Sequence, residues 1–341
     1  MYSKIIFKLL ICQFIGFLSI PISLIAGDPP PPRKLRQVES GVPFFDREVG
    51  FKSPFANPNP DEKPIEINVG FLLQNVTNYN VKEGKFEADF TLSYTSNKPM
   101  PHMNPHFTNG YIEEDDLIRQ ISDEPTFKLW KVHAIFYNYP DLRDYPFDVQ
   151  ELAIEIEEDD NGIDMIKFIP NNENTNFDSD FQLPGWDVRY TEVRILNHYY
   201  PDRFDYDDLY YPRYIFRMGI KRFSTNAVFT VFLPAFVIML VSLSGIWLRP
   251  EQIETKINST APMLAAAVLF HYTLIQELPA TPYLTRADKL MMSVYICLMI
   301  NMVSAWSFFF FKEEKHDMIY RYSKLIIPPL NLIIFSLGSF L

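Results

Sequence analysis

Polar and apolar residues alternate with a period of two across much of 65–222, whereas 223–341 is dominated by long uncharged apolar runs. Phe86, Ala88, Phe90, Leu92 and Tyr94 interleave with Glu87, Asp89, Thr91, Ser93 and Thr95, the pattern of a strand with one face in a core and the other in water. Segments 132–139 and 150–157 repeat it, with Leu152, Ile154 and Ile156 on one face. Tyr214, Phe216, Met218 and Ile220 form a last alternating set that leads into the apolar half. Turn-forming clusters at 97–105, 158–162, 170–176 and 201–208 separate these runs. Short strands punctuated in this way predict an all-β, antiparallel, immunoglobulin-like sandwich over 65–222. The uncharged runs 223–248, 257–276, 290–311 and 325–341 predict an all-α four-helix transmembrane domain over 223–341. Three reach the roughly 20 residues that cross a hydrocarbon core, and the fourth comes close.

The N-terminus has the layout of an export signal over 1–27. Lys4 and Lys8 precede an apolar stretch at 9–25, and Ala26 and Gly27 are small residues before a polar change. A retained membrane anchor is the other reading of the same stretch. Residues 28–64 hold nine prolines and predict an extended arm. An exported head sets the topology: loops 249–256 and 312–324 are cytoplasmic, with two and four Lys or Arg, against two in the external loop 278–289. The chain is therefore expected in a plasma membrane, a bacterial inner membrane, with its head and C-terminus outside. The only cysteines, Cys12 and Cys297, lie in apolar runs, so the head must fold without a disulfide. A formal net charge of −11 without a separate basic cluster argues against nucleic-acid binding. No P-loop, HExxH or GxSxG motif is present, and His102 and His106 are separated by Met-Asn-Pro rather than a helical turn. These features predict a protein that is not an enzyme and requires no cofactor.

Between two strand-like runs stands Tyr145-Pro146-Phe147-Asp148. With Gly185-Trp186-Asp187, Arg222 before the first apolar run, Pro234 inside it, and Leu278-Pro279 and Pro282-Tyr283 after the second, this order and spacing resembles the pentameric ligand-gated ion channels, the Cys-loop receptor superfamily. The turn lacks the flanking cysteines and the last interhelical link is short, which looks like the prokaryotic branch. The resemblance implies a homopentamer in membrane lipid, with the second apolar helix of each subunit lining a central pore for permeant cations. It also implies a gating interface of Tyr145, Pro146, Phe147, Asp148, Arg222, Pro282 and Tyr283, with Arg222 pairing to Asp148. A surface turn beside a snorkelling arginine is the plainer alternative.

Helical steps place Asn258, Pro262, Ala265, Leu269, Tyr272 and Gln276 on one stripe, with Glu254 ahead of it. The resemblance turns this stripe toward the lumen, and five copies of Glu254 would attract cations. Pro262 stands where the family usually has a hydroxyl residue, and Ala265 where a large aliphatic side chain commonly closes the pore. Leu269 and Tyr272 are then the expected constriction. His271, beside the stripe, is a candidate for pH sensitivity or simply a packed histidine.

The family's agonist pocket corresponds to the loop 198–208, with Tyr199, Tyr200, Phe204 and Tyr206, together with Glu157, Asp159 and Asn161 and, from 104–109, Phe107. Aromatic faces among carboxylates suit a small amine through cation–π attraction, although they would equally serve a packed hairpin with solvated acids. Glu157, Glu158, Asp159 and Asp160 could instead hold a modulatory calcium ion, and a head rich in acids is also suited to activation by protons. A non-conducting membrane receptor on the same scaffold is the competing expectation, supported by Pro262 and Ala265.

Overall fold

The computed structural model describes residues 35–37, 63–114, 117–200 and 209–340. The expected signal segment and nearly all of the proline-rich arm lie outside the described residues. The chain divides into two compact units, and the segment Leu142–Asp148 belongs with the helices of Arg222–Leu341 rather than with the strands that flank it in sequence.

The strand unit contains β1 (Leu35–Gln37), β2 (Ile65–Asn80), β3 (Lys85–Ser96), β4 (Pro105–Phe107), β5 (Gly110–Tyr111), β6 (Ile118–Glu124), β7 (Phe127–Tyr137), β8 (Val149–Glu158), β9 (Ile166–Phe177), β10 (Trp186–Tyr200) and β11 (Leu209–Arg222). One sheet has the order β1-β10-β11-β8-β4; the other runs β5-β7-β3-β2-β9, with β6 also paired to β7. Phe86, Ala88, Phe90, Leu92 and Tyr94 all point inward, as the alternation requires. From the facing sheet Tyr214, Phe216, Met218 and Ile220 join the same core, and the rings of Phe71 and Phe216 meet at 4.6 Å. The β2–β3 turn depends on Gly84, whose φ is +64° and where a Cβ would lie 2.6 Å from the Asn138 carbonyl.

The sandwich is mixed rather than purely antiparallel. β2 pairs antiparallel with β3 but parallel with β9, and β1 pairs parallel with β10. The expected turn at 170–176 is an excursion inside β9. Val69 faces Pro170 and Phe71 faces Thr175, so the intervening residues loop out between two paired stretches. There the Thr175 hydroxyl donates to the Asn171 carbonyl at 2.6 Å, and Asn174 N donates to Asn171 Oδ1 at 3.3 Å. Proline and four asparagines made the turn legible, but not that the ladder resumes beyond it.

Among the described residues the helical unit has four long members: α1 (Ser224–Trp247), α2 (Ile253–Gln276), α3 (Arg286–Phe310) and α4 (His316–Phe340). They occupy the four expected apolar runs, with charged first turns added to α2, α3 and α4. α1 and α3 are long and apolar enough to cross a membrane by length and composition. α1 passes through a π-helical stretch, Val228–Phe232, just ahead of Pro234. Proline cannot donate to the preceding turn, and a π-bulge is one way a helix absorbs that loss. α2 continues unbroken through Pro262.

A buried polar chain ties three helices together. Asn331 Nδ2 on α4 donates to Asn301 Oδ1 on α3 at 2.7 Å, and Asn301 Nδ2 donates to Ser242 Oγ on α1 at 3.1 Å. Gly338 lets α4 approach α3 closely, since a Cβ there would lie 2.4 Å from Ser293. Outward faces carry Met292, Ile296, Met299 and Val303 on α3 and Leu325, Ile333 and Leu337 on α4, apolar surface that suits lipid better than water.

Candidate functional site: a turn-to-helix junction and an exposed helix face

The strand ends that bracket Leu142–Asp148 are pinned to each other. Gln150 Nε2 donates to the Asp141 carbonyl at 2.8 Å, while Asp141 N donates to Gln150 Oε1 at 3.1 Å. Within the helical unit the segment then serves as a cap. The first N–H groups of a helix lack intrahelical acceptors. In α3 the Arg286 N–H donates to the Arg143 carbonyl and the Ala287 N–H to the Tyr145 carbonyl, both at 3.0 Å. A capping box completes the helix start: Asp288 N donates to Thr285 Oγ1, and Thr285 N donates to Asp288 Oδ2.

Side chains reinforce this seat. Arg222 grips Asp148 at two points, Nε to Oδ1 at 2.9 Å and Nη2 to Oδ2 at 3.3 Å, and Asp148 is 1% exposed. The same guanidinium lies 5.2 Å from the Tyr145 ring centroid. Burial pushes the Tyr145 hydroxyl above its ordinary value, so it stays a neutral donor. Phe147 packs against Phe232 at 5.4 Å and beneath the Arg286 guanidinium at 5.1 Å. Leu142 N donates to the Tyr283 hydroxyl at 3.0 Å, and Arg143 lies over the Tyr283 ring. Tyr145, Phe147, Asp148, Arg222 and Tyr283 therefore converge, with Pro146 buried in the same segment; Pro282 is exposed beside Tyr283. Arg143, Arg286 and Asp288 were not anticipated, although the Thr285-x-x-Asp288 spacing carries the capping signal in sequence.

On α2, Glu254, Asn258, Pro262, Ala265, Leu269, Tyr272 and Gln276 are all exposed, whereas Lys256, Thr260, Ala267 and Leu274 are buried against the other helices. Leu269 and Tyr272 are the most open large side chains of the stripe, at 67% and 61%. Lys256 is 3% exposed, with its ammonium 4.0 Å from the Phe308 ring centroid. The helix thus has a packed back and an unpartnered front that carries every residue of the stripe.

In the strand unit the expected ligand residues separate. Phe204 and Tyr206, and the side chains of Tyr199 and Tyr200, lie outside the described residues. Phe107 is not available to a ligand: it is 4% exposed and packs edge-on against Phe90 and Phe136. Its place on β4 sends every second side chain inward, and phenylalanine takes the core side. Asn161 is also structural, 4% exposed and donating to the His102 carbonyl at 2.7 Å. Glu157 accepts from Arg213 Nε at 2.7 Å and lies 3.2 Å from His198 Nδ1. Asp159 and Asp160 are half-exposed, 3.6 Å and 3.9 Å from His106 and His102 respectively. Among the described residues no three His, Cys, Asp or Glu side chains converge as metal ligands.

Glu158 is buried outright, at 0% exposure. Its Oε1 accepts from Asn104 N at 2.7 Å and Asn161 Nδ2 at 3.3 Å, while Oε2 and the buried Tyr94 hydroxyl have no hydrogen-bond partner among the described residues. Burial raises its carboxyl from 4.5 to about 7, against the lowering effect of the Asn104 and Asn161 hydrogen bonds. Burial also holds the Tyr94 hydroxyl well above its ordinary value, helped by the nearby Glu158 charge.

No protein-family model matches the chain. It is 23% identical, over 332 residues that span 89% of this chain and 91% of its counterpart, to a proton-gated ion channel of Gloeobacter violaceus. That distant, nearly end-to-end similarity agrees at the general level with the receptor-channel superfamily whose turn is resembled at 145–148.

Proposed function

We propose that this chain is the subunit of a homopentameric, cation-selective channel of a bacterial inner membrane, opened by protons acting on its exported head. The observation that carries the proposal is the seat of the 142–148 segment: the N-terminus of α3 is capped by that segment's carbonyls and locked by the Asp148–Arg222 pair. A strand rearrangement that moves the ends of this segment must move its cap, and α3 with it. The similarity to a proton-gated channel favours the proton over the amine as stimulus, and Glu158 supplies a head carboxyl that exchanges its proton near neutrality. All four helices would span the membrane, five copies of α2 would surround the pore with their exposed stripe inward, and Glu254 would form the cation-attracting ring. Leu269 and Tyr272 would close it.

An amine pocket would rest on the loop 198–208, with Tyr199, Tyr200, Phe204 and Tyr206. A calcium modulator would have to draw on Asp159 and Asp160, because Glu157 and Glu158 are engaged elsewhere. The non-conducting receptor is the competing reading, and a closed pore at every pH would favour it.

The test is Asp148→Asn, with Arg222→Gln as its counterpart, in proteoliposomes loaded with a cation-sensitive dye. Acidification should drive cation influx in the wild type. Each variant should assemble as the wild type does and lose most of that influx, because removing one partner leaves the other charge uncompensated in a largely buried site. Undiminished influx in both variants would overturn the coupling role.

A further inference from the structure

His271, on α2, has both ring nitrogens engaged by α3. Nε2 lies 3.0 Å from Asp288 Oδ1, and Nδ1 lies 3.1 Å from the Tyr295 hydroxyl. The second carboxylate oxygen of Asp288 accepts from Thr285 N and Thr285 Oγ1, both at 2.8 Å, so Asp288 is a fixed point at the start of α3. A carboxylate only accepts, so the neutral ring carries its hydrogen on Nε2, and Nδ1 accepts from Tyr295. Tyr295 has a second acceptor within reach, the Ala267 carbonyl on α2 at 3.5 Å.

A proton added at Nδ1 changes both contacts. Nδ1 becomes a donor, so the Tyr295 oxygen must accept from it and turn its own hydrogen toward the Ala267 carbonyl. The neutral hydrogen bond to Asp288 becomes a charge-assisted pair. Each change adds attraction between α2 and α3, on the side of α2 away from Leu269 and Tyr272. α1 carries no ionisable side chain; α3 presents Arg286, Asp288, Lys289 and Tyr295; α2 adds Tyr272, with Glu277 just past its end. Arg286 Nε is held by the Ser339 carbonyl at 2.8 Å. Asp288 directly follows Ala287, whose N–H is held by the Tyr145 carbonyl, so the site connects the capped junction to α2.

We infer that His271 is a proton-binding clamp between α2 and α3, and that its protonated form draws the pore-facing stripe back toward α3 and favours the open pore. The clamp itself follows from the contacts; its effect on opening rests on the channel reading above.

Two measurements test it. Full-length protein labelled with 13C at its six histidines, in micelles, should show one imidazole, assigned by its loss in His271→Gln, that is the Nε2–H tautomer when neutral and takes up its second proton at Nδ1 on acidification. A neutral Nδ1–H tautomer, or a ring that stays neutral as the pH is lowered, would overturn the site. In proton-activated currents His271→Gln should move the half-activating pH downward by about half a unit or more, a roughly threefold higher proton concentration. Tyr295→Phe should give a smaller shift in the same direction, because it keeps the Asp288 pair but loses the hydroxyl turn. A wild-type half-activating pH in His271→Gln would overturn the gating role. Silent wild-type channels with a titrating Nε2–H His271 would contradict the channel reading while supporting the clamp.

Discussion

Glu158 stands in an acidic run of the sequence, yet its side chain is fully buried in the fold. Its folded-state carboxyl, raised to about 7 from an ordinary 4.5, favours a proton that the unfolded chain would release earlier. The stability it contributes is therefore fully present below about pH 4.5 and is lost as pH rises through about 7. The span corresponds to roughly 3 kcal/mol. Glu158→Gln keeps the shape without the charge. In thermal unfolding of the detergent-solubilised protein, the variant should gain on the wild type by several degrees between pH 5 and 8; parallel pH profiles would contradict the buried assignment. A second residue-scale prediction concerns Glu254, exposed at the start of α2. Glu254→Gln should shift the reversal potential in an ion gradient toward weaker cation preference, and an unchanged potential would remove it from the selectivity ring. Asp148 and Arg222 were legible from the sequence because a four-residue turn and a charge at a domain boundary leave few alternatives. Glu158 was not: β8 alternates cleanly until Ile156, Glu157 and Glu158, which are all buried in succession, and nothing in an acidic run announces which carboxylate turns inward.

Among the elements, β3 and β8 were read almost to their ends, whereas β7, β11 and the last helix begin several residues before the segments their patterns marked. β3, β7, β8 and β11 follow from two-residue alternation, and the four helices from uncharged runs. β2 was harder because Gly70 and the apolar Leu72 interrupt its alternation, and β9 because its excursion at 171–174 carries the composition of a turn. Neither the parallel pairing of β2 with β9 nor the capping of α3 by a distant segment has a local signature, since both join residues far apart in the chain. The Ser242–Asn301–Asn331 chain is likewise a property of packed helices. Asn301→Leu breaks two interhelical hydrogen bonds and strands the Asn331 amide. Such interhelical bonds average about 0.6 kcal/mol in membrane proteins and reach at most about 2 kcal/mol. The variant should unfold at lower temperature or denaturant in micelles, whereas Asn258→Leu, on the exposed face of α2, should leave stability nearly unchanged. Equal stability of Asn301→Leu and wild type would show that the chain is not a structural tie.

For the whole molecule, an acid-rich strand unit, a helical unit with lipid-suited faces and the Leu142–Asp148 segment that belongs with the helices are the parts through which the proposed proton signal would pass. The exposed stripe of α2, unpartnered in one chain, is the surface that self-assembly would enclose. Purified protein should therefore run as a pentamer, and a monomer in gentle detergent would remove the basis for a central pore. The central claim is that protons open a cation pathway. Its most direct test is to express the full chain in oocytes, confirm surface delivery, and step external pH from 8 to 4 under a cation gradient. The account predicts an inward current that activates on acidification, reverses near the cation equilibrium potential and weakens in Asp148→Asn. No current at any pH, with the protein at the surface, would contradict it and favour a receptor that signals without conducting.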